Sequence, residues 1–211
     1  MQIRFTLVSE GGSDRVLLPL IRWVLRQAAG QHTYEGRWPD LRKLRKPPRT
    51  LSQRLAAALH LEPCDLLFVH RDADCPDPDP RRNEIRQAVT NLAGLEIPPA
   101  ICVVPIQMSE AWFLFDEASI RRAAGNPRGR EPLQLPRLSD VEDRADAKTI
   151  LQSALRAASA TAGRRRRFLD TSRAYHRVAE LIEDYSPLRQ LSGFRSLEDD
   201  LHAVLQDKGW I

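Results

Sequence analysis

The stretch Met1-Gln2-Ile3-Arg4-Phe5-Thr6-Leu7-Val8-Ser9-Glu10-Gly11-Gly12-Ser13-Asp14 decides how the rest of the chain is read. Its first half is short, apolar and rich in β-formers; its second half is polar and turn-like. Apolar residues then recur at helical spacing, through Val16-Leu17-Leu18, Leu20-Ile21 and Val24-Leu25, as far as Ala29. Strand, tight loop and helix in that order open an α/β unit. The run is also too short, and too soon interrupted by Arg4, to be a secretory signal.

Two later runs repeat the pattern. Asp65-Leu66-Leu67-Phe68-Val69-His70 is continuously apolar between Pro63 and an acidic loop, as a strand buried on both faces should be. Ala100-Ile101-Cys102-Val103-Val104-Pro105 is its twin. Residues 30–49 read as a loop with one short strand. Thr50 is placed to cap a helix over Leu51–Leu61. A further helix is expected over Arg81–Leu95, and another starting at Ser109 and reaching Phe115. Alternating strands and helices predict an α/β, Rossmann-like fold with a mainly parallel central sheet flanked by helices. Residues 117–145 look irregular. Helices are expected beyond them over 147–160, 171–185 and 197–206, with Ser196 and Asp199 as a capping box for the last. The organisation read from this is an α/β core over 1–124 and a C-terminal helical extension over 125–211 packed on it.

Bulk composition narrows the class. With 42% hydrophobic and 28% charged residues, the 211-residue chain has the balance of an ordinary soluble protein. No apolar run approaches the roughly 18 residues of a membrane span. Cys64, Cys75 and Cys102 are odd in number, far apart and outside any zinc spacing, which points to a reducing compartment, the cytoplasm. A net charge of +4 leans towards an anionic partner without the excess of a protein that coats nucleic acid.

Ligands of an open parallel sheet bind beyond the carboxyl ends of its strands. Acidic residues stand at three such ends: Glu10 after the first strand, Asp72 and Asp74 after the second apolar run, and Glu110 after the third. Asp72-x-Asp74 is read as two carboxylates on one side of an extended segment. Hard oxygen ligands of this kind suit Mg²⁺, which takes one or two carboxylates and completes its shell with water and phosphate. Loops also carry Asp as turn formers and caps, so each string alone says little; their shared setting after apolar β-runs joins them. Asp14, one turn into its helix, also suits the helix dipole. Gly11 and Gly12 read either as a tight turn with positive φ or as a backbone able to approach a phosphate. Arg164-Arg165-Arg166-Arg167 is the sharpest basic cluster, and Lys43, Arg45, Lys46 and Arg49 form a second; each is a nucleic-acid contact or a solvated link. Trp112 reads as core, and His70 as a buried histidine supporting the site.

The string Glu10-Gly11-Gly12-Ser13-Asp14 after one strand and Asp72-Ala73-Asp74 after a later one resembles the Toprim domain of topoisomerases, DnaG-type primases and the overcoming-lysogenization-defect nucleases. Pro105-Ile106-Gln107-Met108-Ser109-Glu110-Ala111-Trp112-Phe113-Leu114-Phe115-Asp116 is similar to a narrower group, the small stand-alone bacterial Toprim-like proteins of the DUF4276 kind. So are Asp146-Ala147-Lys148 before a helix and Ser192-Gly193-Phe194 before the last one. The resemblance spans most of the chain, residues 30–49 and 125–145 excepted. It implies a Toprim fold and a nuclease that uses one or two Mg²⁺ or Mn²⁺ ions. Glu10 would be the general acid or base, or a ligand. Asp72 and Asp74 would hold metal, Glu110, Asp14 and Asp116 would complete a second site, and Lys148 would neutralise charge in the transition state. It further implies a nucleic-acid substrate, a role in anti-phage defence and a separate ATPase partner; a stand-alone chain this small also suits a homo-oligomer or subunit. No P-loop, Ser/His/Asp order or zinc pair occurs in the chain itself. Two other readings stay open: a non-catalytic Toprim-like regulatory or sensor subunit, and a nucleotide-sugar glycosyltransferase using Asp72-x-Asp74. A dehalogenase-type phosphatase fits less well, because its D-x-D belongs after the first strand.

Overall fold

The computed structural model describes residues 1–92, 96–159 and 169–211. Among these, four strands form one sheet: β1 (Gln2–Val8), β2 (Thr33–Arg37), β3 (Leu66–His70) and β4 (Ala100–Val103). The order is β2-β1-β3-β4 and every pairing is parallel, with Phe5 opposite Leu66 and Phe68 opposite Ile101. The fold is therefore α/β with an all-parallel sheet, as the apolar runs predict. β2 is the short strand expected within 30–49. It lies close on β1 at Gly36, where a Cβ would fall 2.3 Å from the Phe5 ring, so glycine is needed there for contact.

Side chains alternate across the sheet and meet a separate cluster on each face. Ile3, Phe5, Leu7, Leu66, Phe68, Ile101 and Val103 face α1 (Leu17–Ala28) and the later helices. Val8, Leu67, Val69 and Cys102 face α2 (Leu51–Leu61) and α3 (Asp79–Thr90). Thr50 caps α2 as expected, its hydroxyl accepting from the Gln53 amide while the Gln53 side chain returns to Thr50. α3 starts two residues earlier than Arg81, because Pro80 suits a first turn, and ends at Thr90; residues 93–95 lie outside the described residues.

The second half departs further from expectation. Ser109–Phe113 forms a 3-10 turn, not the start of an α-helix. All five residues are buried, whereas an α-helix would leave one side wet. Residues 117–145 are not wholly irregular. Asp116 accepts from the Ser119 amide and hydroxyl and so caps α4 (Glu117–Ala123). α5 (Ala147–Ala158) and α6 (Thr171–Leu181) lie where helical spacing puts them, although α6 stops short of 185. Pro187 there opens a 3-10 turn over Ser186–Gln190. The last helix, α7 (Ser192–Asp207), begins five residues before Leu197, so Ser196 and Asp199 lie inside it and cap nothing. Its cap comes from far away: the Glu142 carboxylate accepts from the amides of Ser192 and Gly193 and from the Ser192 hydroxyl. Trp112, Phe113, Tyr185 and Phe194, all buried, join these helices to the α1 face of the sheet through edge-on ring contacts. No helix of the described residues is long and apolar enough to cross a membrane.

Candidate functional site

The crossover changes side between β1 and β3, which are neighbours in the sheet although β2 separates them in sequence. A crevice opens at such a switch point beyond the strand ends. β1 delivers Ser9 to Asp14 there, and β3 delivers His70 to Asp74. The loop after β4 passes over the same edge, where the Ala73 and Asp74 amides donate to the carbonyls of Pro105 and Gln107.

His70 stands at the centre, 2% exposed. Its Nε2 is 3.2 Å from Asp72 Oδ1, and its Nδ1 is 3.5 Å from Asp14 Oδ2, within ion-pair range but outside hydrogen-bond geometry. Burial alone would drive the imidazole neutral. The two carboxylates outweigh it and raise the His70 pKa to about 9, so His70 is a cation at neutral pH. Asp14 shows the converse. Burial would raise its pKa, but His70, the Gly11 amide and the Ser13 hydroxyl hold it down to about 2. Asp72 Oδ1 also accepts from the Ser109 amide at 2.8 Å, tying the β3 and β4 loops together.

Glu110 is 8% exposed and, among the described residues, takes no hydrogen bond from another residue. Burial, with the nearby charges of Asp72 and Asp14, raises its pKa, and Lys148 only partly offsets this. Lys148 sits exposed in the first turn of α5, where its amide meets the Met108 sulfur. Asp14, Asp72 and Glu110, from three distant segments, are thus brought within one another's electrostatic reach.

Other expected residues take different places. Glu10 lies at the mouth, its side chain 53% exposed and paired with Arg71, which also reaches Glu84. Asp74 does not stand beside Asp72. A left-handed φ of 58° breaks the extended segment that the spacing suggested, and its carboxylate turns out to Arg81 at 2.9 Å. Asp116 is committed to the cap of α4. Neither Gly11 nor Gly12 has a positive φ: Gly12 sits at −71°, in ordinary right-handed space. A Cβ at Gly12 would stand 2.7 Å from an Arg42 guanidinium nitrogen, the end of an exposed side chain that can move aside. The cluster Arg164 to Arg167 lies outside the described residues. Arg71, Arg81, Ser109 and Tyr175 were not singled out from sequence. Arg71 follows β3 directly and was readable as part of its loop; Tyr175 belongs to an amphipathic helix and carries no local signal.

A divalent cation can be tested against these residues. As the side chains stand, no group of three His, Cys, Asp or Glu among the described residues is arranged to hold a metal ion. The donors are nevertheless hard oxygens, as Mg²⁺ requires. Asp72 Oδ2 has no partner among the described residues, and Glu110 is buried with no donor from another described residue. The set fits such a cation in kind, with local rearrangement of the ion pairs at the mouth. Compared with known proteins, the chain matches no protein-family model, no curated protein and no solved structure, so its site is read from its own residues.

Proposed function

We propose that the chain is a metal-dependent phosphodiesterase acting on nucleic acid, of the kind the Toprim resemblance implies. One observation carries this reading: Asp14, Asp72 and Glu110 converge at the switch point around the buried cation of His70. Asp14 and Glu110 are buried and Asp72 half-buried, and carboxylates gathered this closely are costly without a cation. Asp14, Asp72 and Glu110 would hold Mg²⁺ or Mn²⁺, with Glu10 available at the mouth. When bound, the ion would neutralise charge on the phosphoryl oxygens and orient the attacking water.

The chain's own groups supply the rest. His70 fixes Asp14 and Asp72 in place. Glu10 is the accessible carboxylate and the group to take a proton from water; Arg71 orients it. Lys148 is free to neutralise charge beside Glu110. The divergence of Asp72 and Asp74 weighs against a glycosyltransferase in which both address one ion. Three unpaired cysteines favour a cytoplasmic setting.

The test is incubation of the purified protein with supercoiled plasmid, linear DNA and RNA in Mg²⁺, Mn²⁺ or EDTA, beside Asp72→Ala and Glu110→Gln. Cleavage that needs metal and disappears in both variants is expected. Cleavage that persists in the variants overturns the site. Nucleic-acid binding that survives both EDTA and the substitutions, without cleavage, would instead assign a sensor or regulatory subunit.

A further inference from the structure

We propose that a cavity beside the carboxylates receives a single unstacked nucleobase next to the scissile phosphate; this rests on the phosphodiesterase reading and narrows its substrate to strands with unpaired bases. The cavity, about 220 Å³, lies between the Ser109–Phe113 turn, α5 and the start of α6. Leu151 and Leu155, one helical turn apart and at most 2% exposed, give it an apolar wall. Gln152 adds an amide that can both donate and accept.

Its polar end is unfinished. The Tyr175 hydroxyl is buried, with the residue 7% exposed, and has no hydrogen-bond partner among the described residues. Ser109 is near it without reaching hydrogen-bond geometry. Glu110, 8% exposed and among the described residues bonded only by its own amide, lines the same space. An open buried hydroxyl beside a carboxylate bonded only by its own amide calls for a ligand that supplies polar partners to both.

Size and chemistry choose the ligand. The volume is below the roughly 300–1,000 Å³ of pockets for drug-sized molecules, which leaves room for one ring system. An alkyl group would leave Tyr175 unsatisfied. A sugar would set hydroxyls against two leucines, and a second phosphate, although Lys148 lines the cavity, would have to lie against the Glu110 carboxylate and the same leucines. A nucleobase has an apolar face for Leu151 and Leu155 and a donor–acceptor edge for Tyr175, Gln152 and Glu110. Position agrees: Glu110 belongs to both cavity and carboxylate set, and Ser13, which also lines the cavity, donates to Asp14. A base can enter only after leaving the helical stack, as in enzymes that extrude a nucleotide into a fitted pocket.

Uncharged nucleosides in EDTA test the cavity apart from metal and hydrolysis. Saturation-transfer NMR on the whole protein would be run with adenosine, guanosine, cytidine and uridine. Saturable binding of at least one is expected, lost in Leu151→Trp, which fills the space, and weakened about three- to tenfold in Tyr175→Phe, which keeps the ring. Absence of saturable binding to the folded wild type, or binding unchanged in Tyr175→Phe, overturns the proposal. A cleavage assay on the same samples separates the two readings. Nucleoside binding without metal-dependent cleavage removes the phosphodiesterase and leaves the pocket. Cleavage of single and double strands at equal rates, with no nucleoside bound, removes the pocket and leaves the phosphodiesterase.

Discussion

The carboxylates at the sheet edge divide into an inner and an outer set. Asp14, Asp72 and Glu110 are drawn in around a buried histidine or into a cavity; Glu10 and Asp74 stand at the rim on Arg71 and Arg81. All five follow apolar strands, and by sequence they are alike. Burial separates them. An inner carboxylate must be compensated by specific partners, so its loss disturbs the fold as well as the chemistry. A rim carboxylate is already solvated, and its ion pair contributes little to stability. Whatever the rim does, it does through accessibility.

The largest effect is expected at Asp72. In Asp72→Ala, metal-dependent cleavage should fall by about a thousandfold, the upper range for removing one preorganised electrostatic group. The protein should also lose about 1–3 kcal/mol, since His70 and the Ser109 amide lose their common acceptor. Denaturant unfolding beside the cleavage assay measures both. Full stability with full loss of activity would place Asp72 with the rim and collapse the distinction.

The inner set should next reveal itself through pH. The His70 pKa rises on folding from 6.5 to about 9, so its contribution is complete below 6.5 and is lost as pH climbs through 9. At most this amounts to about 3 kcal/mol. The Asp14 pKa falls from 3.8 to about 2, so its contribution holds above 3.8 and is lost as pH drops through 2. Glu110 works the other way: its pKa is raised, so ionising it costs stability above the ordinary glutamate range. Stability should be greatest near pH 4, ease as Glu110 ionises, and decline again from 6.5 towards 9 as His70 loses its proton. His70→Gln should abolish that alkaline decline, read as midpoint of unfolding against pH. A decline that survives in the variant would mean His70 is not the titrating group.

The sheet was legible because each buried strand declares itself: Leu66–Val69 and Ile101–Val104 are unbroken apolar runs that fit little else. Thr50 and Gln53 announce their helix locally in the same way. The C-terminal half was harder because its determinants are remote. α7 starts where Glu142, fifty residues upstream, reaches its amides, and no nearby residue records that. The site divides along the same line. Strand-end carboxylates were visible in order, but the turn at Asp74 depends on one backbone angle, and D-x-D spacing alone implied an extended segment. Tyr175 could not be found, since what distinguishes it is a missing partner in three dimensions.

The rim offers the two smaller effects. Glu10→Gln keeps the shape of the side chain while removing the base, and should cut cleavage about a hundredfold, the lower range for general base catalysis. Its stability should change by less than about 1 kcal/mol, because Glu10 is half exposed and the largely buried Arg71 keeps Glu84 as a partner. Asp74→Asn should move neither quantity far: stability by less than about 0.5 kcal/mol, and cleavage by a few-fold at most, for its carboxylate is turned to Arg81 on α3. The pair is therefore informative as a contrast within the rim. If Asp74→Asn abolishes cleavage while leaving unfolding untouched, Asp74 must leave Arg81 and turn inward when metal binds, and the left-handed residue becomes a hinge of the site. Titrating Mg²⁺ against both variants decides it, because a hinge ligand raises the metal concentration needed for half-maximal cleavage, whereas a lost base lowers the rate at every metal concentration.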